Sequence, residues 1–244
     1  MSIHDGHRQR LKSRFAEQGM DSFTQVQAVE MLLFYCIPRQ DTNELAHRLL
    51  ERFGSFAQIL DADLEELQSV KGIGENAALF LKMLPAAARY YQIDKARLEG
   101  KPLLTTEACG EYLLPYFLGR CNETVFLLCL DAKGKVISCR MVGEGGINSA
   151  GVPIRRIVEL SLAAKATSVV LAHNHPSGIA LPSQEDVSTT QRVSTALDAV
   201  DVVLADHLVI ADDDYVSMVQ SGRYRPQECC SMVYQEVTTW TDSN

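Results

Sequence analysis

The 244-residue sequence lacks the long hydrophobic segments that mark membrane and secreted proteins. Its apolar runs are too short to cross a bilayer, and its polar, basic start, MSIHDGHRQRLKSRF, has no apolar segment of the signal-peptide type. No internal repeat or low-complexity tract is present, which argues against a repeat protein. We therefore expect a globular protein of the cytoplasm, with no membrane partner.

The sequence also lacks the Cys-x-x-Cys pairs of many redox and zinc sites, and it has no excess of positive charge. The seven cysteines include no Cys-x-x-Cys pair, and several lie inside apolar runs, as reduced core thiols do in cytoplasmic proteins. The chain has 23 Lys and Arg against 31 Asp and Glu, a net charge of −8, so it has no global attraction to nucleic acid. Any contact with DNA must come from a local feature.

The residues that are present predict two domains. Hydrophobic residues make up 46% of the chain and charged residues 22%, which is enough apolar material for a sizeable core. Apolar side chains recur at helical spacing over residues 1–93, which predicts an all-helical N-terminal domain. The next segment, 94–102 (DKARLEGKP), is charged and ends in Gly and Pro, so we predict a linker there.

After this linker the periodicity changes. Short apolar runs predict strands, and longer amphipathic segments predict helices. The predicted strands are 124–130, 136–142, 168–175, 202–210 and 215–219, and the predicted helices begin at Pro153 and Ser183. This alternation predicts a mixed α/β domain over residues 103–225, followed by a tail, 226–244, with no clear pattern.

The stretch LAHNHPSGIALPSQEDV, residues 171–187, holds a candidate metal site. His173 and His175 are two apart, so in a strand they project from the same face. Asp186 falls in the first turn of the helix that Ser183 is expected to cap, where it can lean back toward the histidines. Two imidazoles and a carboxylate leave the fourth position of a tetrahedral zinc to water, as in catalytic sites. The alternative is a capping box, in which Asp186 only bonds the Ser183 amide.

The same residues resemble a family motif. His-x-His-Pro, ten residues between His175 and Asp186, and Ser183 three before that aspartate are similar to the JAMM (MPN+) metalloprotease motif. The strings HNHPSG, PSQED and DHLVI resemble RadC-family proteins, and the likeness covers residues 104–222. It implies a JAMM/MPN-type, cytidine-deaminase-like α/β fold after the helical domain, with zinc held by His173, His175 and Asp186. It also implies that Ser183 supports an oxyanion, and that a glutamate from an early strand is the general acid/base.

Several glutamates are candidates for this acid/base role, which requires a carboxylate that does not itself bind the metal. The upstream candidates are Glu107, Glu111, Glu123, Glu144 and Glu159. Glu123 opens the apolar run TVFLLCL, where a partly desolvated carboxylate is a better base; the alternative is an exposed strand-opening residue. Glu144, among the glycines of VGEGG, is the second candidate, and Glu159 is expected on the solvated side of its helix.

Residues 67–78, LQSVKGIGENAA, fit a helix-hairpin-helix pattern in which Gly-Ile-Gly joins two helices. Because Gly72 and Gly74 carry no side chain, backbone amides there can approach a DNA phosphate, and Lys71 adds a positive charge. The same glycines also suit a plain packing turn. The basic arm, Arg8 to Arg14, is expected to be a solvated helix face or a further phosphate contact.

Together these features predict a zinc-dependent hydrolase of a peptide or isopeptide bond, with an unknown protein or peptide substrate and non-specific DNA contacts. Two alternatives remain open. A DNA-binding adaptor with a structural metal site would bind DNA without turnover, and a metal-dependent nuclease would cleave DNA rather than protein. The pair Asp206-His207 follows an apolar strand and is predicted either to support the metal ligands or to be satisfied within the core.

Overall fold

Two separate sets of apolar side chains organise this chain. The computed structural model describes residues 3–38, 40–145 and 153–226. Contacts between residues fall into two groups, one on each side of the boundary between Ala88 and Arg89. The first 88 residues and the remainder are therefore two compact units. The predicted tail, 226–244, lies outside the described residues except for Pro226.

The first unit is helical, as the apolar spacing predicts. Its helices are α1 (Ile3–Gln18), α2 (Gln25–Cys36), α3 (Asn43–Phe53), α4 (Phe56–Asp61), α5 (Leu64–Ser69) and the first part of α6 (Glu75–Glu99). Leu33, Leu49, Leu67 and Leu81 are fully buried in one cluster, so each of four helices contributes a side chain to the same core. This packing, rather than helix propensity alone, stabilises helices as short as α4 and α5.

The segment 94–102, predicted as a linker, remains helical as far as Glu99 within α6. Ile93 and Ala96 pack against an apolar cluster of the second unit, and Arg97 donates a hydrogen bond from Nη2 to the Tyr116 hydroxyl at 3.4 Å. The charged segment therefore has a packed face, which its composition does not reveal, and this face keeps it helical.

The second unit is a five-stranded mixed sheet with helices on both faces. Its elements are α7 (Thr106–Phe117), β1 (Thr124–Leu130), β2 (Val136–Glu144), α8 (Ile154–Ala164), β3 (Ser168–Asn174), α9 (Gln184–Asp198), β4 (Val203–Ala211) and β5 (Asp214–Ser217). The strand order is β2-β1-β3-β4-β5, in which only β3 and β4 are parallel. The predicted α/β fold of JAMM/MPN type is confirmed.

Every residue of β1 and β3 is buried, because both sheet faces are covered. On one face, α7 packs against Phe126, Leu128 and Val170. On the other, α8 and α9 pack against Leu127 and Leu171. Three cysteines belong to these two clusters, as expected of core thiols: Cys109, Cys129 and Cys139.

Helix α7 was missed in the sequence, which predicts no helix over 106–117. Gly110 and Pro115 interrupt its pattern, and both are poor helix formers. A Cβ at Gly110 would collide with the ring of Tyr215, so glycine at this position lets the helix approach the sheet closely.

Candidate metal centre

The predicted metal ligands come together where β3 ends and α9 begins. Nε2 of His173 lies 2.9 Å from Nε2 of His175. Asp186 places Oδ1 3.2 Å from Nε2 of His173 and Oδ2 3.6 Å from Nε2 of His175. One ligand atom from each residue lies within 4.8 Å of the others, so the group could hold a metal ion.

Asp186 also forms the predicted capping box. Its Oδ2 accepts hydrogen bonds from the Ser183 amide and hydroxyl, each at 2.7 Å, and its own amide donates to Ser183 Oγ at 3.1 Å. Although burial raises the pKa of Asp186, the His173 contact and the Ser183 hydrogen bonds lower it well below its usual range. The capping box and the candidate ligand are thus one charged carboxylate, with Oδ2 in the cap and Oδ1 facing His173.

The spacing of these ligand atoms suits a metal ion with tetrahedral ligands. Zinc ligands at about 2.0–2.1 Å in such an arrangement lie about 3.3 Å from one another. The two Nε2 atoms lie 2.9 Å apart, and Asp186 Oδ1 lies 3.2 Å from Nε2 of His173, both close to that value. His173 is fully buried while His175 keeps about 20% of its side chain exposed, so the group opens to solvent on the His175 side.

Each histidine has a second partner on its other ring nitrogen. Nδ1 of His175 lies 2.9 Å from the Ile179 carbonyl oxygen. Nδ1 of His173 lies 2.8 Å from Nε2 of His207, whose Nδ1 lies 2.6 Å from the Thr190 hydroxyl. Burial lowers the pKa of His207 well below its usual value, with a smaller contribution from His173. Such outer contacts orient ligand histidines in metal sites.

The side chains of Asp206 and His207 lie on opposite faces of the sheet. His207 contacts His173 and therefore lies behind the candidate ligands. Asp206 instead accepts hydrogen bonds from the hydroxyls of Ser217, at 2.6 Å, and Thr106, at 3.3 Å, which ties α7 to β4 and β5. Burial raises the pKa of Asp206, while these hydrogen bonds oppose that shift. His207 therefore lies beside the candidate site, and Asp206 is a core residue whose carboxylate is hydrogen-bonded.

Glu123 directly precedes β1, near the end of β3 that carries the histidines. β1 and β3 pair antiparallel with Val125 opposite His173, and Glu123 and His175 lie just outside this pairing. Asn174, whose side chain accepts from the Thr124 amide at 2.8 Å, anchors the start of β1 to the end of β3. Glu123 is the residue before this anchored start of β1, and it is half-buried.

Glu144 pairs with Thr124 rather than with Val125, so it lies on the sheet face opposite to that of Val125 and His173. Its Oε1 accepts from Asn122 Nδ2 at 3.2 Å. The remaining candidates lie on exposed helix surfaces: Glu107, which accepts from Gln220 at 2.8 Å; Glu111; and Glu159, which is paired with Arg155 at 2.8 Å. Glu123 is therefore the candidate that directly precedes the strand paired with His173.

The predicted helix-hairpin-helix turn lies between α5 and α6. Gly72 adopts φ +102°, a conformation that favours glycine, and Ile73 is buried in the helical core. Gly74 has open space where a Cβ would be, and its carbonyl accepts the first helical hydrogen bond of α6, from Ala78. Lys71 is exposed, and its carbonyl accepts from Arg48 at 2.7 Å.

Three of the four cations in the basic arm of α1 are half-buried beside aromatic rings, whereas Arg10 is exposed. Arg8 and Lys12 lie over the rings of Phe34 and Tyr35, at 4.7 and 5.3 Å from the ring centroids. Arg14 lies 4.4 Å over Phe23. The arm is therefore partly solvated, and cation–π contacts with aromatic residues of α2 and the preceding turn also hold these three side chains.

Thr190 and Asn174 are the site residues that sequence reasoning missed. Thr190 lies one helical turn after Asp186 and so shares its face of α9, which is a signal that helical spacing could have provided. Asn174 gives no such signal, since its role depends on the pairing of β3 with β1.

The fold and these ligands define a JAB-type domain with a candidate metal site, and comparisons with known proteins agree. The family model "RadC-like JAB domain" matches residues 103–223. A UPF0758 protein of Fusobacterium nucleatum is 30% identical over 227 residues, covering 90% of this chain and 97% of the relative. UPF0758 proteins of Ruegeria pomeroyi and Rhodobacter capsulatus are each 34% identical, covering 88% and 87% of this chain and 96% and 99% of their own lengths.

The chain belongs to the RadC family. Among the described residues, no helix has both the length and the apolar character needed to span a membrane.

Proposed function

We propose that this protein is a zinc-dependent hydrolase that cleaves a peptide or isopeptide bond. The observation that supports this most is the convergence of His173, His175 and Asp186 on one point, with Glu123 directly before the strand that pairs with the strand of His173. Three protein ligands beside an open, solvent-facing side are typical of catalytic rather than structural zinc sites.

In this proposal each residue has a distinct task. A zinc ion in such a site acts as a Lewis acid, which polarises a carbonyl group and lowers the pKa of water. Glu123 takes a proton from the attacking water and returns it to the leaving nitrogen as the carbon–nitrogen bond breaks. Ser183, which is exposed at the mouth of the site, donates to the developing oxyanion. Its hydroxyl rotates away from Asp186 Oδ2 to do so, while its amide maintains the cap.

The charge of the ligand-bearing segment favours a peptide over a phosphodiester. Residues 168–191, which contain the ligands and the loop between them, include no Lys or Arg. Ile179 and Leu181 on that loop are 63% and 62% exposed, so apolar surface borders the opening. A nuclease is expected to hold its anionic substrate with cations near the scissile bond. These residues instead suit apolar side chains of a polypeptide.

The test is a comparison of two glutamate variants. Protein purified without chelators should carry about one zinc per chain. Glu123→Gln should keep that zinc and lower hydrolysis of quenched peptide and isopeptide probes by about 100- to 10,000-fold, because the proton acceptor is lost but no ligand is. Glu144→Gln is the matched control, and its rate should be unchanged.

Three other outcomes would contradict the proposal. Loss of activity in Glu144→Gln alone would transfer the acid/base role to Glu144. Cleavage of labelled duplex or single-stranded DNA without peptide cleavage would favour the nuclease. Bound zinc with no turnover of any probe would favour the adaptor with a structural metal site.

We also propose that the helical unit makes weak, non-specific contacts with DNA through the turn at Gly72 and Gly74. The feature that favours this is the open start of α6, where Gly74 carries no side chain to cover the helix amides. Residues 1–88 contain nine Lys and Arg against twelve Asp and Glu, so long-range attraction is not expected. Affinity would therefore depend on few short-range contacts.

A further inference from the structure

His207 and Thr190 lie directly behind His173 and complete a chain of hydrogen bonds. The chain starts at the Asp186 carbonyl and passes through the Thr190 hydroxyl and His207 to His173, which faces the Asp186 carboxylate. We infer that Thr190 and His207 are positioning residues that hold the His173 proton on Nδ1, leaving Nε2 as a lone pair for a cation. This inference rests on the proposed metal site and names residues that set its chemistry.

Thr190 fixes the donor-to-acceptor direction of this chain of hydrogen bonds. Its hydroxyl oxygen lies 2.6 Å from the Asp186 carbonyl oxygen, which can only accept a hydrogen bond. The hydroxyl has one proton, and the carbonyl is a better acceptor than the Met218 thioether at 3.3 Å. At its 2.6 Å contact with Nδ1 of His207, the hydroxyl must therefore accept.

The remaining protons follow from this direction. A histidine that binds a cation through Nε2 carries its proton on Nδ1, so His173 donates at Nδ1. The partner 2.8 Å away is Nε2 of His207, which accepts because the proton of His207 is on Nδ1. Nε2 of His173, which lies 3.2 Å from Asp186 Oδ1, is then the atom left to bind the ion.

His175 reaches the same state by a different route. Its Nδ1 lies 2.9 Å from the Ile179 carbonyl oxygen, which can only accept, so Nδ1 donates there. The two Nε2 atoms, 2.9 Å apart, and the Asp186 carboxylate converge. The outer contacts of both histidines therefore orient Nε2 toward the position where the ion would bind.

Tautomer measurement on the intact protein tests this directly. In full-length protein labelled with ¹⁵N at histidine, long-range ¹⁵N–¹H spectra should place the His173 and His207 protons on Nδ1, both with zinc removed and with zinc added. A His173 Nδ1 that carries no proton, in either state, would overturn the inference. Because this readout needs neither zinc nor turnover, it is separate from any failure of the proposed hydrolysis.

Variants of α9 provide a second test, in which zinc affinity is measured. Thr190→Val removes the acceptor for His207 and should weaken zinc affinity, measured by chelator competition, by about 10- to 100-fold. Thr190→Ser keeps the hydroxyl and should restore affinity. Thr195→Val is the matched control, because Thr195 makes the same bond to a carbonyl one turn back, at 2.9 Å to Gln191, but lies on an exposed surface.

Denaturant unfolding of each variant shows whether a loss of affinity reflects global instability. Unchanged zinc affinity and an unchanged His173 tautomer in folded Thr190→Val would overturn the inference. An equal loss in Thr195→Val would do the same, since it would assign the effect to helix α9 in general.

Discussion

Helices α2 and α9 begin with the same capping box, yet only α9 contributes to a candidate metal site. In α2, Thr24 and Gln27 exchange hydrogen bonds at 3.1 and 3.3 Å. In α9, Ser183 and Asp186 make the equivalent bonds at 2.7 and 3.1 Å. The local geometry is nearly the same, so the cap alone does not identify a ligand.

The difference lies in what the capping side chain does with its other atoms. The Gln27 oxygen that caps α2 also accepts from Arg14 at 2.6 Å, near the surface. Asp186 is only 3% exposed, and it directs its second oxygen at a buried imidazole. A carboxylate has two oxygens, so it can cap a helix and bind a cation at once. Burial and converging nitrogens, rather than the capping motif, therefore indicate the metal site.

The largest effect is expected from removing the charge while keeping the cap. In Asp186→Asn the amide oxygen can still accept from the Ser183 backbone, so the helix start should persist. Zinc affinity should nevertheless fall by more than about 100-fold, since loss of a ligand costs more than loss of an outer partner. Chelator competition measures the affinity, and circular dichroism reports the fold.

Glu66→Gln is the control for that experiment. Glu66 occupies the corresponding position in the capping box of α5, where it accepts from the Asp63 amide at 3.4 Å. The Glu66→Gln substitution removes the same charge from the same kind of cap and should leave zinc affinity unchanged. Wild-type affinity in Asp186→Asn would mean that this carboxylate is only a cap.

An intermediate effect is expected from deleting the capping hydroxyls. Thr24→Ala and Ser183→Ala should each lower the free energy of unfolding by about 1 kcal/mol, as cap deletions do. Ser183→Ala should also weaken zinc binding by about 10- to 100-fold, because it frees Asp186 to move. Urea denaturation and zinc titration of both variants would measure this. If the two variants behave alike toward zinc, the comparison between α2 and α9 fails.

The sequence predicts those parts of the site that depend on local pattern. The strand at 124–130 has the bounds of its apolar run, and His173 and His175 share a side because alternation in a strand requires it. Ser183 was predicted to cap α9 from its residue type and position, and it does.

Features that depend on tertiary contacts were not predictable in the same way. Asn174 matters only because β1 pairs beside β3, and the partner of His207 depends on how α9 lies over β4. The helix over 94–99 persists because Ile93 and Ala96 find an apolar surface far along the chain. Local charge and glycine content describe none of these contacts.

The start of α6 extends the comparison to a helix that begins with glycine instead of a capping side chain. If Gly74 leaves the first amides open to a DNA phosphate, then supplying a cap should close the site. Gly74→Asp suits this purpose, because an added Cβ there meets nothing within 4 Å. Gly72 does not suit it, since its φ of +102° would strain any side chain.

The effect on DNA should be the smallest of the series. Full-length protein should bind labelled duplex DNA with micromolar or weaker affinity, little sequence preference, and a slope of about −2 to −4 in log K against log salt. Gly74→Asp should reduce that affinity by roughly tenfold, because its carboxylate occupies the amides and repels the phosphate. Ala57→Asp adds the same charge at an exposed position in the first turn of α4 and should change the affinity little. Fluorescence anisotropy at low salt distinguishes these outcomes. An equal loss in both variants would show a general charge effect, and no binding by the wild-type protein would leave the turn at Gly72 and Gly74 as packing alone.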